Sequence, residues 1–168
     1  MSYLDHFKLT DDLIVHLDSF VSSMSDAFIT SRYVGFVAVA GTTAYELAIK
    51  EIFLGFSEKK HKVFGNFAAR HFSRLNGRIK TREITENYLP RFGVKYVKKY
   101  QRLIGQSEKR LLRTKGLSVQ TSYNNVIEWR NQFAHEGVIP TTPSYQEVIT
   151  AYEAGKEVIH CLHATMKR

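Results

Sequence analysis

Apolar residues recur at helical spacing along nearly the whole chain, and patterns typical of β-strands are almost missing. This periodicity is the strongest constraint on the fold, because a helix buries its apolar stripe against neighbouring helices. The first stripe lies near the N-terminus and comprises Leu13, Leu17, Phe20, Val21, Met24 and Phe28. We predict Thr10 as the N-cap of this helix, since Asp11 and Asp12 follow in its first turn, where the helix dipole favours carboxylates.

The second predicted helix runs from about Arg32 to Phe56 and is apolar nearly all round in its first half. This pattern indicates a buried central helix. The small residues from Gly41 to Ala44 would let a neighbouring helix approach closely. A transmembrane span needs about 20 mainly apolar residues, and three charged residues interrupt this segment: Glu46, Lys50 and Glu51. We therefore predict a core helix and no membrane span.

Three more helical segments occupy the middle of the chain. The inward-facing residues of the third helix are predicted to be Val63, Phe64, Phe67, Phe72 and Leu75, with Asn76-Gly77 as its stop. Thr81 is predicted to cap a short helix that ends before Pro90. The next helix carries Val94, Val97, Tyr100 and Ile104 on its apolar face, with an expected break near Gly105 and an end at Gly116.

The last two helices have the clearest boundary signals. Ser118 to Ser122 opens a helix that runs to about His135, and Gly137 and Pro140 terminate it. The final helix runs from about Ser144 to Met166. Neither a repeat nor a linker divides the chain, so we predict one all-α domain over residues 1–168, a bundle of about six or seven helices.

The composition is that of a globular protein, with 43% hydrophobic and 24% charged residues among 168. The single cysteine, Cys161, excludes an intrachain disulfide. Residues 1–10 lack the apolar core of a signal peptide, so we expect a cytoplasmic protein. The spacing of His160, Cys161 and His163 fits no zinc pattern, and neither a phosphate-binding glycine loop nor a paired-carboxylate motif is present. We therefore expect neither a metal nor another cofactor.

The formal net charge of +8 favours anionic partners, of which RNA and DNA are the most obvious class. Basic residues are dense between Arg70 and Lys115. Within this region, the predicted RNA-binding residues are Lys95, Lys98, Lys99 and Arg102. Tyr96 and Tyr100 lie among them as candidate stacking platforms. The alternative is an ordinary solvated helical surface.

One arginine stands where an apolar side chain is expected. A helical projection of residues 123–135 places Tyr123, Val126, Ile127, Phe133 and Ala134 on the core side. Arg130 points along the middle of that side, whereas Asn124, Asn131 and His135 share an adjacent polar flank. A cation there is costly unless an anion meets it. Two interpretations remain open: a structural ion pair, with Glu46 as the acid, or a guanidinium that waits for a phosphate.

The segment from Arg130 to His135 resembles the Arg-x4–6-His motif of the HEPN superfamily, in the form with Asn directly after the Arg. The motif also stands late in the chain at a helix end, with one amphipathic helix after it. The pair Tyr45-Glu46 in the central helix resembles the branch known as RiboL-PSP-HEPN. The resemblance implies a HEPN-type helical bundle.

The resemblance further implies a metal-independent RNA endonuclease, a homodimer in which two motifs form one cleft. In that family the ribose 2′-OH attacks the adjacent phosphate and leaves a cyclic phosphate end. Arg130 would stabilise the phosphorane, His135 would transfer a proton or position the 2′-OH, Asn131 would orient the phosphate or His135, and Glu46 would hold Arg130. Expected roles are those of a toxin or phage-defence effector, with an antitoxin or another regulatory protein as partner.

The chain departs from the pattern at one position. HEPN toxins paired with nucleotidyltransferase antitoxins usually carry a Tyr two positions after the His, as the site of modification, and here that residue is Gly137. A different regulator is therefore expected. Two other functions remain: a HEPN module that binds nucleotides or RNA, or mediates dimerisation, without cutting, and a basic helical DNA-binding protein. The intact Arg130 and His135 favour the enzyme.

Overall fold

A computed structural model describes residues 2–21, 23–140 and 143–167. These described residues form seven α-helices and no strand: α1 (Asp5–Val21), α2 (Ala27–Glu58), α3 (Lys62–Phe72), α4 (Thr81–Glu83), α5 (Val94–Lys115), α6 (Val119–His135) and α7 (Tyr145–Met166). The short α4 continues into a π-helical turn, Ile84–Tyr88, and a 3-10 turn, Leu89–Phe92. The predicted all-α class and the number of helices are confirmed.

Helix α2 is the central element, and α1, α3, α6 and α7 all pack against it. Small residues make the close approaches: a Cβ on Gly41 would collide with Tyr152, and one on Gly155 would collide with Tyr45. The Tyr45 ring stacks between two others, with centroid distances of 4.7 Å to Tyr123 and 5.6 Å to Tyr152. These aromatic contacts fix α2, α6 and α7 relative to one another in the core.

The predicted ends of the last two helices agree closely with the structure. Ser118 caps α6 through its side chain, and Gly116 ends α5 in the left-handed region with φ of 68°. Ser144 and Glu147 form a reciprocal capping box at the start of α7. These signals are local hydrogen bonds between a side chain and the nearest backbone, which is why sequence alone predicts them.

The start of α1 was predicted wrongly. The helix begins at Asp5, and Thr10 is a buried interior residue whose hydroxyl donates to the carbonyl of Ala40 at 3.1 Å. Met24 lies after α1, and Phe28 is 60% exposed in the first turn of α2. The cap of α2 is Asp26, which accepts from the backbone N–H groups of Phe28 and Ile29, so that helix starts five residues before the predicted Arg32.

Three further expectations about the middle helices were wrong. Phe72 and Leu75 are buried as predicted, but Val63 and Phe67 of α3 are 68% and 62% exposed, because Gly65 and Ala68 face the core in their place. Helix α5 runs through Gly105 without a break. Thr81 is the first residue of α4 rather than a side-chain cap, and the turns that follow carry Pro90 within them. No described helix is long and apolar enough to cross a membrane.

Candidate active site

Arg130, Asn131 and His135 lie on the last two turns of α6. The earlier turns of this helix are anchored in the core by Tyr123, Val126 and Ile127, as the projection predicted. The last turn extends beyond its packing neighbours, so Phe133 is half-buried and Ala134 is exposed. Ala134 was expected to face the core and does not. The motif therefore combines a rigid anchor with side chains that reach solvent.

The three motif side chains meet through one nitrogen atom. Nη1 of Arg130 donates to Oδ1 of Asn131 at 2.9 Å and contacts Nε2 of His135 at 2.8 Å. A guanidinium has no lone pair to accept with, so Nε2 is the acceptor in this contact. The imidazole therefore presents a lone pair directly at the cationic centre.

A tight turn supports the other side of the Arg130 guanidinium. Gly77 adopts φ of +78°, and a Cβ built on it would lie 3.0 Å from Nη2 of Arg130. The backbone N–H of Gly77 donates to Oε2 of Glu46 at 3.0 Å. Glu46 thus holds the Gly77 turn that lies against Arg130. Residue 77 has a positive φ and lies close to the guanidinium, and glycine allows both because it has no side chain.

Side chains of α6 form hydrogen bonds with the segment that follows Gly77 and hold it in one conformation. The hydroxyl of Tyr123 donates to the carbonyl of Ile79 at 2.8 Å. The Asn124 amide pairs with Thr81, accepting from its backbone N–H at 3.1 Å and donating to its hydroxyl at 2.9 Å. Asn124 is therefore a structural clamp and does not join Asn131 and His135. These bonds preorganise the surface beneath Arg130.

The expected ion pair between Glu46 and Arg130 does not form. Oε1 of Glu46 binds Nζ of Lys50, one turn further along α2, at 2.7 Å, and Oε2 accepts from Gly77. Both carboxylate oxygens are therefore engaged elsewhere. Within the described residues, no carboxylate lies at ion-pair distance from Arg130. Of the two interpretations of this arginine, the geometry favours a site open to an external anion.

An apolar surface borders the motif. The Phe133 ring, from the last turn of α6, packs over Gly35 and makes an edge contact with Phe36 at 5.5 Å between centroids. Phe36 is 52% exposed, although it belongs to the central helix α2. The sequence predicts that this part of α2 lies in the core. It does not reveal the exposed face, because the spacing of apolar residues does not show which helices pack against α2.

The predicted RNA-binding residues of α5 are not near the motif. Nζ of Lys99 donates to the carbonyls of Thr165 and Lys167 at 3.1 Å each, which places it at the C-terminal end of α7. Helices α6 and α7 are antiparallel, since Gly155 faces Tyr123 whereas Gly41 lies against both Tyr152 and Val126. At a rise of 1.5 Å per residue, Thr165 and Arg130 are about 25 Å apart along the bundle.

The other residues of this predicted RNA-binding track differ in their exposure to solvent. Lys95, Lys98 and Arg102 are exposed on the same helix. Tyr100, expected to stack on bases, is only 1% exposed and belongs to the core. Tyr96 is half-buried against Phe56. Basic residues closer to the motif in the structure are Arg74 and Arg78, which are exposed on either side of Gly77, the residue that lies against the Arg130 guanidinium.

His160 and His163 both contact Tyr3 of the N-terminal segment. The Tyr3 ring stacks on His163 at 4.3 Å, and its hydroxyl contacts Nδ1 of His160 at 3.1 Å. Burial lowers the pKa of both imidazoles. In the described part of the chain, His, Cys, Asp and Glu side chains do not gather in groups of three or more that could hold a metal ion.

Comparison with known families now identifies the fold. The sequence profile described as RiboL-PSP-HEPN matches residues 5–168. Neither a curated protein nor a solved structure matches the chain. The profile covers all seven helices, including the Arg130 motif at the end of α6 and the Tyr45-Glu46 pair in α2. The chain therefore belongs to the RiboL-PSP-HEPN family.

Proposed function

We propose that the chain is a metal-independent RNA endonuclease with Arg130, Asn131 and His135 as its active site. The observation that carries the proposal is the contact of the Arg130 guanidinium with the His135 imidazole at 2.8 Å, at a surface where no described carboxylate pairs with Arg130. A fixed cation beside an imidazole supplies the two elements that phosphodiester transesterification needs, charge stabilisation and proton transfer.

Arg130 acts on the scissile phosphate. The phosphate oxygens replace Asn131 and His135 as acceptors, and the planar guanidinium binds two of them at once. Negative charge grows on these oxygens as the phosphorane forms, so the contact strengthens in the transition state. Because Gly77 supports the guanidinium from behind, little reorganisation is needed. Glu46 is then a positioning residue that acts through the Gly77 turn.

His135 transfers the proton. Once phosphate displaces it from Arg130, Nε2 accepts the proton of the ribose 2′-OH, and O2′ attacks phosphorus as the bond to O5′ breaks. The products are a 2′,3′-cyclic phosphate and a 5′-hydroxyl, whose proton is returned by an imidazolium or by water. Asn131 orients the phosphate or the imidazole through its amide. The side chains of the motif thus supply the phosphate contact and the removal of the 2′-OH proton.

The active unit in this proposal is a homodimer whose two motifs face one cleft. The exposed Phe36 and the half-buried Phe133 beside the motif support it, because such a surface gains free energy when a second copy covers it. We place the enzyme in the cytoplasm, as a toxin or phage-defence effector. Gly137 has φ of +66°, so a tyrosine there would be strained, and control by a regulatory protein is favoured over modification at that position.

The test is incubation of total RNA with the purified chain in EDTA, beside His135→Ala and the control His16→Ala. His16 is an exposed histidine on α1 and is not part of the motif. We expect cleavage by the parent and by His16→Ala, and loss of cleavage in His135→Ala. If His135→Ala cleaves like the parent, the assignment is wrong. A folded parent that binds RNA without cutting it would identify a binding module instead.

A further inference from the structure

A second site lies at the opposite end of α2 from the motif. It is a groove of about 590 Å³ between the C-terminal half of α2, the N-terminal residues Ser2 and Tyr3, and the end of α7. Phe133 marks the motif end by packing on Gly35, whereas Gly55 lines the groove. At 1.5 Å per residue these two glycines are about 30 Å apart along α2. The groove is therefore separate from the Arg130 site.

Three lysines with exposed side chains border one end of the groove: Lys59, Lys60 and Lys167. In the described residues none of them has a carboxylate partner, and Nζ of Lys60 lies over the Phe56 ring at 5.0 Å. The neighbouring His163 has its pKa lowered by burial and by the cations Lys167 and Lys59. Lys59 and Lys167 thus bring positive charge to the same part of the groove, and a phosphate group carries enough negative charge to bind there.

The remaining walls suit an apolar or flat body. Ile52 and Met166 are buried side chains that line the groove, and Phe56 adds a ring. Glu51 and Lys59 both line the groove from α2, about two turns apart. Eight residues of α2 separate Glu51 from Lys59, which is about 12 Å at the helical rise. The groove thus accommodates a molecule of that length with an anionic group at one end only.

We propose that this groove binds a small phosphate ester, with its phosphate on Lys59, Lys60 and Lys167 and its apolar or flat body against Ile52, Phe56 and Met166. The site is independent of RNA cleavage, because none of these residues belongs to the motif.

The test measures binding of 1-naphthyl phosphate to the full chain by calorimetry. Inorganic phosphate lacks the body and 1-naphthol lacks the phosphate, so we expect each to bind at least about tenfold more weakly. Gly55→Leu fills the groove, since a Cβ on Gly55 meets nothing within 4 Å. It should weaken the naphthyl phosphate at least about tenfold. Gly105→Leu is the matched control, a helical glycine with equally open space outside the groove, and should leave binding unchanged.

Three results would overturn the proposal: no binding of 1-naphthyl phosphate to the folded parent, equal affinity for 1-naphthol, or unchanged affinity in Gly55→Leu. Arg130→Ala separates the two sites. Retained binding in that variant supports the groove, and lost binding would place the probe at the motif. Because no readout involves RNA cleavage, failure of the RNase assignment leaves this result interpretable.

Discussion

Arg130 presents a planar cation whose surroundings are fixed on every side except the one toward solvent. Asn131 and His135 share its Nη1, and Gly77 lies against its other edge. Neutral acceptors hold the guanidinium in place without neutralising it, which leaves its charge available to a phosphate. The distinction matters because a structural ion pair would survive substitution by lysine better than a bidentate phosphate contact would.

Arg130→Lys should therefore lower RNA cleavage by about 100-fold, since lysine keeps the charge but loses the fork that binds two phosphate oxygens. The free energy of unfolding should change by less than about 0.5 kcal/mol, because the side chain is only half-buried. Cleavage rates and thermal melts measure both. Arg82→Lys, at an exposed surface ion pair with Glu86, is the control and should cleave like the parent. Equal activity of both variants would contradict the phosphate role.

Gly77→Ala tests the support beneath Arg130. Residue 77 has a left-handed backbone conformation, in which alanine lowers the free energy of unfolding by about 1–2 kcal/mol. The new Cβ also displaces the Arg130 guanidinium. Gly116→Ala has a similar φ of +68° but meets nothing within 4 Å, so it should cost the same stability and spare activity. We expect both variants to melt early and only Gly77→Ala to lose cleavage. Equal cleavage by the two variants would show that the turn does not position Arg130.

Helix boundaries that depend on residues close together in the chain could be predicted from the sequence. The starts of α6 and α7 and the end of α5 follow from Ser118, Ser144 and Gly116, which act within one turn of themselves. The start of α1 was missed because Thr10 bonds a carbonyl thirty residues away. The role of Gly77 was missed for the same reason: its sequence marks a helix stop, whereas its contacts with Glu46 and Arg130 exist only in the folded chain.

The capping box of α7 makes a pH-dependent contribution that can be measured. The backbone N–H of Ser144, followed by its hydroxyl, lowers the pKa of Glu147 below the ordinary value for glutamate. The stabilisation is therefore present at neutral pH and is lost as the pH falls through the lowered pKa. Glu147→Gln should be less stable than the parent at pH 7, and the difference should shrink in acid.

Ser144→Ala removes the hydroxyl of the same capping box and is measured beside Glu147→Gln. Loss of the hydroxyl cap should cost about 1 kcal/mol, most of it retained in acid, because the hydroxyl does not titrate. Denaturant unfolding at pH 7 and pH 3 separates the two variants. A Glu147→Gln penalty that is the same at both pH values would contradict the assigned hydrogen bond.

The two proposed sites of the molecule lie at opposite ends of α2. The motif and the Phe36 surface occupy one end, and the groove with its lysines occupies the other. Family membership follows from the sequence profile, and the exposed apolar surface beside the motif is what the proposed dimer would cover. Basic residues lie near both ends, Arg74 and Arg78 beside the motif and Lys59, Lys60 and Lys167 at the groove, in addition to those exposed on α5.

Phe36→Asp should therefore weaken self-association and RNA cleavage together while leaving the monomer folded, because this side chain is already half-exposed. Phe67→Asp is the matched control, an exposed phenylalanine on α3. Analytical ultracentrifugation over a concentration series, with cleavage measured in parallel, reports both effects. A Phe36→Asp variant that remains dimeric and active would place the interface elsewhere.

The most direct test of the central claim is cleavage in EDTA of a short RNA containing one mapped site, beside the same RNA with a 2′-deoxyribose immediately 5′ of the scissile phosphate. The account predicts that the parent cuts the all-ribose RNA to a 2′,3′-cyclic phosphate and a 5′-hydroxyl, and leaves the deoxy-substituted RNA intact. Cleavage of the deoxy-substituted RNA at the same phosphate, or a 5′-phosphate product, would contradict attack by the 2′-OH and the roles given to Arg130 and His135.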